Sequence, residues 1–135
     1  MYVSSWTHEC FWIADTLLHS GKYSSVYMAH RPIRSRAVAV KIYRSAHQKY
    51  FDNERDIYML PHMRHENVLA FIGSQTEFEA DGSCAHQLLV AYMPHGSLHA
   101  FLKAQSINWA VFMRMGRAIT AGLTHLHMEV EKNGE

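Results

Sequence analysis

The sequence predicts an α+β fold: a five-stranded antiparallel sheet, interrupted by one helix after its third strand and followed by two more helices. Runs rich in aromatic and β-branched residues crowd the first third of the chain. An amphipathic stretch at helical spacing then stops at Pro61, and a long apolar stripe of period 3.6 appears only near the end.

Phe11 to Leu18, Ser25 to Ala29 and Ala37 to Tyr43 predict three antiparallel strands, punctuated by Ser20-Gly21 and Arg31-Pro32. From about Ala46 to Leu60, residues Tyr50, Phe51, Glu54, Ile57 and Tyr58 recur at helical spacing, and Pro61 discourages continuation. Val68 to Glu77 and Gln87 to Tyr92 predict two further strands, joined through Asp81-Gly82, a pair suited to positive φ. Ser97 can cap a short helix carrying Leu98, Phe101 and Leu102. A longer helix, from about Asn108 to His127, aligns Trp109, Phe112, Gly116, Ile119, Leu123 and Leu126 on one stripe. The tail from Glu129 to Glu135 is polar and expected to be mobile.

With 135 residues and 48% hydrophobic content, the chain is long enough for one compact core. Thirteen basic against twelve acidic side chains leave a charge of +1, which gives no pull toward nucleic acid or anionic lipid. Nucleic acid is therefore not an expected partner. Cys10 and Cys84 lie far apart, a pattern that suits a reduced intracellular protein better than a disulfide scaffold. Apolar runs such as Leu88 to Met93 are too short to cross a bilayer, and the start lacks a basic n-region. Any membrane anchor is expected outside this chain.

Glu54 lies on the apolar stripe of the first helix. It is either a partly solvated residue at the stripe's edge or a carboxylate paired with a cation. Lys41 follows Val38-Ala39-Val40 in a strand whose apolar run predicts burial on both faces. Alone it could be a snorkelling lysine. Paired with Glu54, its ammonium would sit in a cleft and could hold nucleotide phosphates. Against the phosphate-loop pattern G-x-G-x-x-G-x-V, His19, Gly21 and Ser24 occupy the glycine positions and Val26 the valine. Only the middle glycine is present, which narrows the loop's freedom to bring backbone N–H groups onto phosphate oxygens. His62 with His65, or His125 with His127, finds no further Cys or His cluster to complete a metal site, so no metal ligand is assigned.

The order of this loop, the Val38-Ala39-Val40-Lys41 run, Glu54 thirteen residues later and His65-Glu66-Asn67-Val68-Leu69 resembles the small lobe of TGF-β superfamily receptor serine/threonine kinases. The resemblance runs from about Phe11 to Glu129. Tyr58-Met59-Leu60-Pro61 and Phe71-Ile72-Gly73 look like the type II branch, which includes the activin and bone-morphogenetic-protein type II receptors. His95-Gly96-Ser97-Leu98 and Gly122-Leu123-Thr124-His125-Leu126-His127 match the start of the family's large lobe.

The resemblance implies a protein-kinase-like small lobe with its αC helix, then the first two large-lobe helices. The implied division is an N-terminal extension over 1–10, the small lobe and hinge over 11–93, an incomplete large lobe over 94–128, and a tail over 129–135. It implies that Lys41 binds the α- and β-phosphates of ATP, that Glu54 fixes Lys41, and that Val26 and Ala39 form the adenine roof. His19, Gly21 and Ser24 would form the phosphate loop. Leu89 to Met93 would form the hinge, with backbone groups near Ala91 and Met93 on adenine, Tyr92 between them, and Val90 as gatekeeper. Family members often carry a smaller polar gatekeeper, so valine there should restrict the back pocket.

The implied cofactors are ATP and Mg, the residues that hold Mg being expected outside this chain. The implied partner is a type I receptor serine/threonine kinase in a heteromeric complex on the cytoplasmic side of the plasma membrane. Phosphoryl transfer in the family needs a catalytic-loop aspartate, an asparagine and a D-F-G aspartate for metal. This chain's aspartates precede Thr16, Asn53, Ile57 and Gly82, none of them in such a setting. The chain alone is expected to position nucleotide without transferring phosphate. Two other readings stay open: a non-catalytic pseudokinase or truncated receptor isoform acting as an interaction module, and a kinase of another tyrosine-kinase-like group.

Overall fold

The computed structural model describes residues 2–3, 13–31 and 34–128. The expectations placed on Cys10, Phe11, Pro32 and the tail 129–135 lie outside these residues.

The strands are β1 (Tyr2–Val3), β2 (Ile13–Ser20), β3 (Ser24–Arg31), β4 (Arg34–Arg44), β5 (Phe71–Phe78) and β6 (Cys84–Ala91). The helices are α1 (Gln48–Tyr58), α2 (Leu98–Ala104) and α3 (Trp109–His127), and one 3-10 turn over Ser45–His47 leads into α1. The strands form one antiparallel sheet in the order β1-β2-β3-β4-β6-β5. Five of its strands are those the sequence predicts. The sixth is the two-residue β1, which pairs with Ile13 and Ala14.

The chain forms two compact units, Met1–Leu60 with Ala70–Met93, and Pro61–Leu69 with Pro94–Glu135. In the first, cross-strand register sorts the apolar residues onto two faces. Ala29, Val38, Val40 and Leu89 cluster on one face with Ile42 beside them. Tyr43, Leu88 and Phe51 cluster on the other, with Tyr50 and Phe71 packed against them. Leu88 is fully buried at 0% exposure. The alternation along β4 follows from the period of two, and β4 and β6 accept apolar residues on both faces because both are interior strands. Phe51 brings α1 onto the Tyr43 face, its ring edge-on to Tyr43 at 6.1 Å and stacked on His86 at 4.9 Å.

Several boundaries differ from the sequence expectation, β4 for one beginning at Arg34 rather than Ala37, and two of them have a visible local cause. β5 begins at Phe71 rather than Val68, because local bonds occupy the preceding backbone: Val68 N–H donates to the His65 carbonyl at 3.1 Å, and Asn67 N–H to His65 Nδ1 at 3.1 Å. β6 begins at Cys84 rather than Gln87, because the turn before it is compact. Gly82 takes a φ of 82°, its N–H reaching the Glu79 carbonyl at 3.0 Å, while Ser83 N–H donates to Asp81 Oδ1 at 2.8 Å.

The second unit is helical. Ser97 caps α2 by accepting from Ala100 N–H at 3.1 Å, and Asn108 caps α3 by accepting from Val111 N–H at 2.9 Å. Segment 61–69 meets α3 at Gly122, where a Cβ would stand 2.6 Å from the Asn67 carbonyl oxygen. Only glycine allows that approach. Nearby, the His65 and His125 rings stack at 4.4 Å, and His125 Nε2 bonds the His62 carbonyl. The α3 stripe of Trp109, Phe112, Ile119, Leu123 and Leu126 is exposed along its whole length.

Candidate functional site

Strand register gathers most of the predicted site on one sheet face. Val26 lies opposite Lys41, His19 opposite Val26, Ser24 opposite Tyr43, and Ala39 opposite Met28 on one side and Val90 on the other. Opposed residues share a face, as do residues two apart on a strand. His19, Ser24, Val26, Ala39, Lys41 and Val90 therefore lie on the face that α1 covers. Tyr92 and Met93 follow the end of β6, beyond the ladder that aligns the others.

On this face Lys41 meets Glu54. The ammonium Nζ is 3.0 Å from Oε1 and 2.7 Å from Oε2, with the two side chains 30% and 31% exposed. Of the two readings open for Glu54, the structure selects the pair. The Tyr43 hydroxyl donates to the same Oε2. Burial works to lower the Lys41 pKa, but the bonds to Glu54 and Tyr43 outweigh it and hold the ammonium above its ordinary 10.5. Tyr43 is raised above 10.0, by burial first and then by its bond to Glu54. Tyr58, one turn along α1, is raised by burial and by the Glu54 charge, and its ring stacks on Phe71 at 5.2 Å. With its pKa raised, Lys41 stays cationic at neutral pH.

The phosphate-loop stretch is a tight hairpin. Gly21 N–H donates to the Ser24 carbonyl at 2.8 Å, and a Cβ at Gly21 would lie 3.4 Å from that oxygen, an ordinary contact. Tyr23 at the tip stacks on Tyr50 of α1 at 4.1 Å and meets the His47 ring edge-on at 5.4 Å. At the other end of the site, Ala91 N–H is taken by the Ala70 carbonyl at 2.9 Å.

Sequence reasoning missed Tyr43 and the Tyr23–Tyr50–His47 cluster. Tyr43 had a usable signal, since it stands two residues after Lys41 and so on the same strand face. The Tyr23–Tyr50 stack had none, because it joins segments that local periodicity does not relate.

A family profile described as "Protein tyrosine and serine/threonine kinase" matches residues 13–130. The chain belongs to that kinase family. Activin receptor type-2A of Xenopus laevis is 34% identical over 113 residues, which cover 82% of this chain and 21% of that protein. The Homo sapiens protein of the same name is 33% identical with the same coverage. Activin receptor type-1-like of Mus musculus is 33% identical over 110 residues, again 82% of this chain and 21% of the relative. Within the kinase family the chain is thus type II-like among the TGF-β superfamily receptor kinases, and it spans about a fifth of the length of the curated relatives it matches.

The residues present fit a nucleotide better than a metal. A carboxylate-held ammonium beside Val26 and Ala39 offers a cation for phosphate and an apolar surface for a base. No residue of this chain is assigned to Mg. Among the described residues no three His, Cys, Asp or Glu side chains gather into a group. Asp52 and Asp56 pair with Arg55, Asp81 accepts from Ser83, and Glu54 serves Lys41 and Tyr43. An open groove of about 650 Å³ runs along α3, lined by Phe112, Met113, Gly116, Thr120 and His65 among others, and contains none of the predicted nucleotide residues. Among the described residues, no helix is long and apolar enough to cross a membrane.

Proposed function

We propose that the first unit binds ATP, and that the chain is the nucleotide-positioning part of a receptor serine/threonine kinase of the TGF-β superfamily. The Lys41–Glu54 contact at 2.7 Å is the observation that supports this most. A lysine in a sheet is an ordinary residue, but one held by a helix carboxylate has its charge fixed in place before phosphate arrives. Lys41 holds the α- and β-phosphates, and Glu54 fixes it. Val26 and Ala39 cover adenine, Val90 limits the depth of the pocket, and backbone groups near Ala91 and Met93 bond the base edge, with Tyr92 between them. The loop of His19, Gly21 and Ser24 closes over the phosphates.

ATP supplies the γ-phosphoryl group that the whole kinase transfers to serine or threonine on a type I receptor partner in a heteromeric complex. That transfer takes place on the cytoplasmic side of the plasma membrane. In this reading 11–93 is the small lobe and 94–128 the start of the large one.

Titration of the purified chain with ATP tests the proposal. Lys41→Ala should weaken binding about tenfold or more. Equal affinity in the two chains would overturn it. Phosphoryl transfer should not rise above the Lys41→Ala control, and turnover abolished by that substitution would refute the view that this chain only positions nucleotide.

A further inference from the structure

We propose that Tyr43 is a positioning residue of this site, its hydroxyl clamping Glu54 so that Lys41 can engage phosphate without releasing α1. The proposal rests on the ATP reading above. Tyr43 is 2% exposed, in the middle of the sheet, with Ser24 of β3 on one side and His86 of β6 on the other. Phe51 lies edge-on against its ring, and Leu88 packs in the same cluster. Packing alone would be served by phenylalanine. The hydroxyl needs a partner when buried, and its partner is Glu54 Oε2, the oxygen that Lys41 also bonds.

A carboxylate has about four lone-pair sites, so the two donors share one oxygen without excluding each other. Tyr43 touches the cation too, the Lys41 ammonium standing 5.3 Å from its ring centroid. Lys41 and Tyr43 both project from β4, whereas Glu54 projects from α1. When phosphate oxygens share the ammonium's three donors, Glu54 keeps only part of the hydrogen bonding it has from Lys41, and α1 part of its tether to the sheet. The Tyr43 hydroxyl does not move with the lysine. It keeps a donor on the carboxylate and so holds α1 in place while Lys41 serves the nucleotide.

The test uses the full chain and Tyr43→Phe, which preserves the ring. ATP affinity should fall about threefold to tenfold, the range of one ordinary net hydrogen bond, because the hydroxyl acts on phosphate only through Glu54 and Lys41. Amides of α1 should exchange faster while those of β3, β4 and β6 stay as protected as before. The Lys41 ammonium, followed by NMR, should titrate at lower pH than in the parent. In a Glu54→Ala background the hydroxyl should make no difference. Affinity within about twofold of the parent, with unchanged α1 exchange, would overturn the clamp, and so would faster exchange throughout the sheet, which would make Tyr43 a packing residue only. If the parent chain binds no ATP, the nucleotide reading falls by itself. The clamp is then judged on α1 exchange and the Lys41 titration, and no change in either refutes it.

Discussion

The sheet unit and the helical unit treat their apolar residues in opposite ways. Every buried hydrophobic residue among those described, from Ala29 to Leu89, belongs to the first unit, whereas in the second only Gly122 is buried. Trp109 of α3 is 73% exposed and Leu123 53%. A strand cannot satisfy its backbone alone, so each hydrogen-bonded neighbour also brings side chains to cover its faces. A helix satisfies its backbone internally, and its spacing lines up a stripe without supplying anything to cover it. What ties α3 to its own unit is therefore local: the Asn108 cap, the close approach of Gly122 to Asn67, and the His125 contacts.

The largest effect should come from deleting the same side chain in the two units. Leu88→Ala opens a cavity in a fully buried position and should cost about 2–5 kcal/mol, while Leu123→Ala on the exposed stripe should stay within about 1 kcal/mol. Denaturant unfolding measures both. Equal costs would mean that the stripe is covered in solution and that the contrast fails.

A smaller effect, confined to the helical unit, is expected from Gly122→Ala. The new methyl would stand 2.6 Å from a backbone oxygen, so α3 and segment 61–69 must move apart, at about 1–3 kcal/mol. Hydrogen exchange should rise in α3 and in 61–69 while β4 and β6 keep their protection. A sheet that loosened equally would show that the units do not hold together separately.

The smallest effect is a pH dependence of the sheet unit. Lys41, Tyr43 and Tyr58 are all raised in the folded state, from 10.5, 10.0 and 10.0. The folded state therefore keeps protons that the unfolded chain gives up, so the stabilisation they confer is complete below about pH 10 and is lost as pH rises through the folded values. Near-UV circular dichroism should report alkaline loosening, less steep in Tyr43→Phe. A midpoint unchanged by that substitution would remove Tyr43 from the titrating set.

The strands were legible where residues alternate between faces, as in Val38 to Tyr43, and α1 where Phe51, Glu54 and Tyr58 fall on one stripe. The Asp81-Gly82 turn was legible because its backbone demands glycine. The start of β5 was not. Val68 has a strand-like side chain, but the His65 turn takes its N–H first. In the site, Lys41 and Glu54 each stood out as a charge in an apolar setting, and Val26, Ala39 and Val90 followed from the resemblance. Tyr43 was passed over because it looks like any core aromatic until its hydroxyl is seen to have a partner.

By itself the amino-acid sequence determined the period of each segment, the residues that start and stop it, and the two charges set in apolar runs. Tertiary structure alone decided that Lys41 and Tyr43 converge on one carboxylate oxygen, that Tyr23 leans on α1, and that Asn67 lies against Gly122. Those contacts depend on which residue of one segment opposes which residue of another far along the chain. Local spacing carries no record of that register, and a slip of one residue would turn every side chain of β4 to the opposite face.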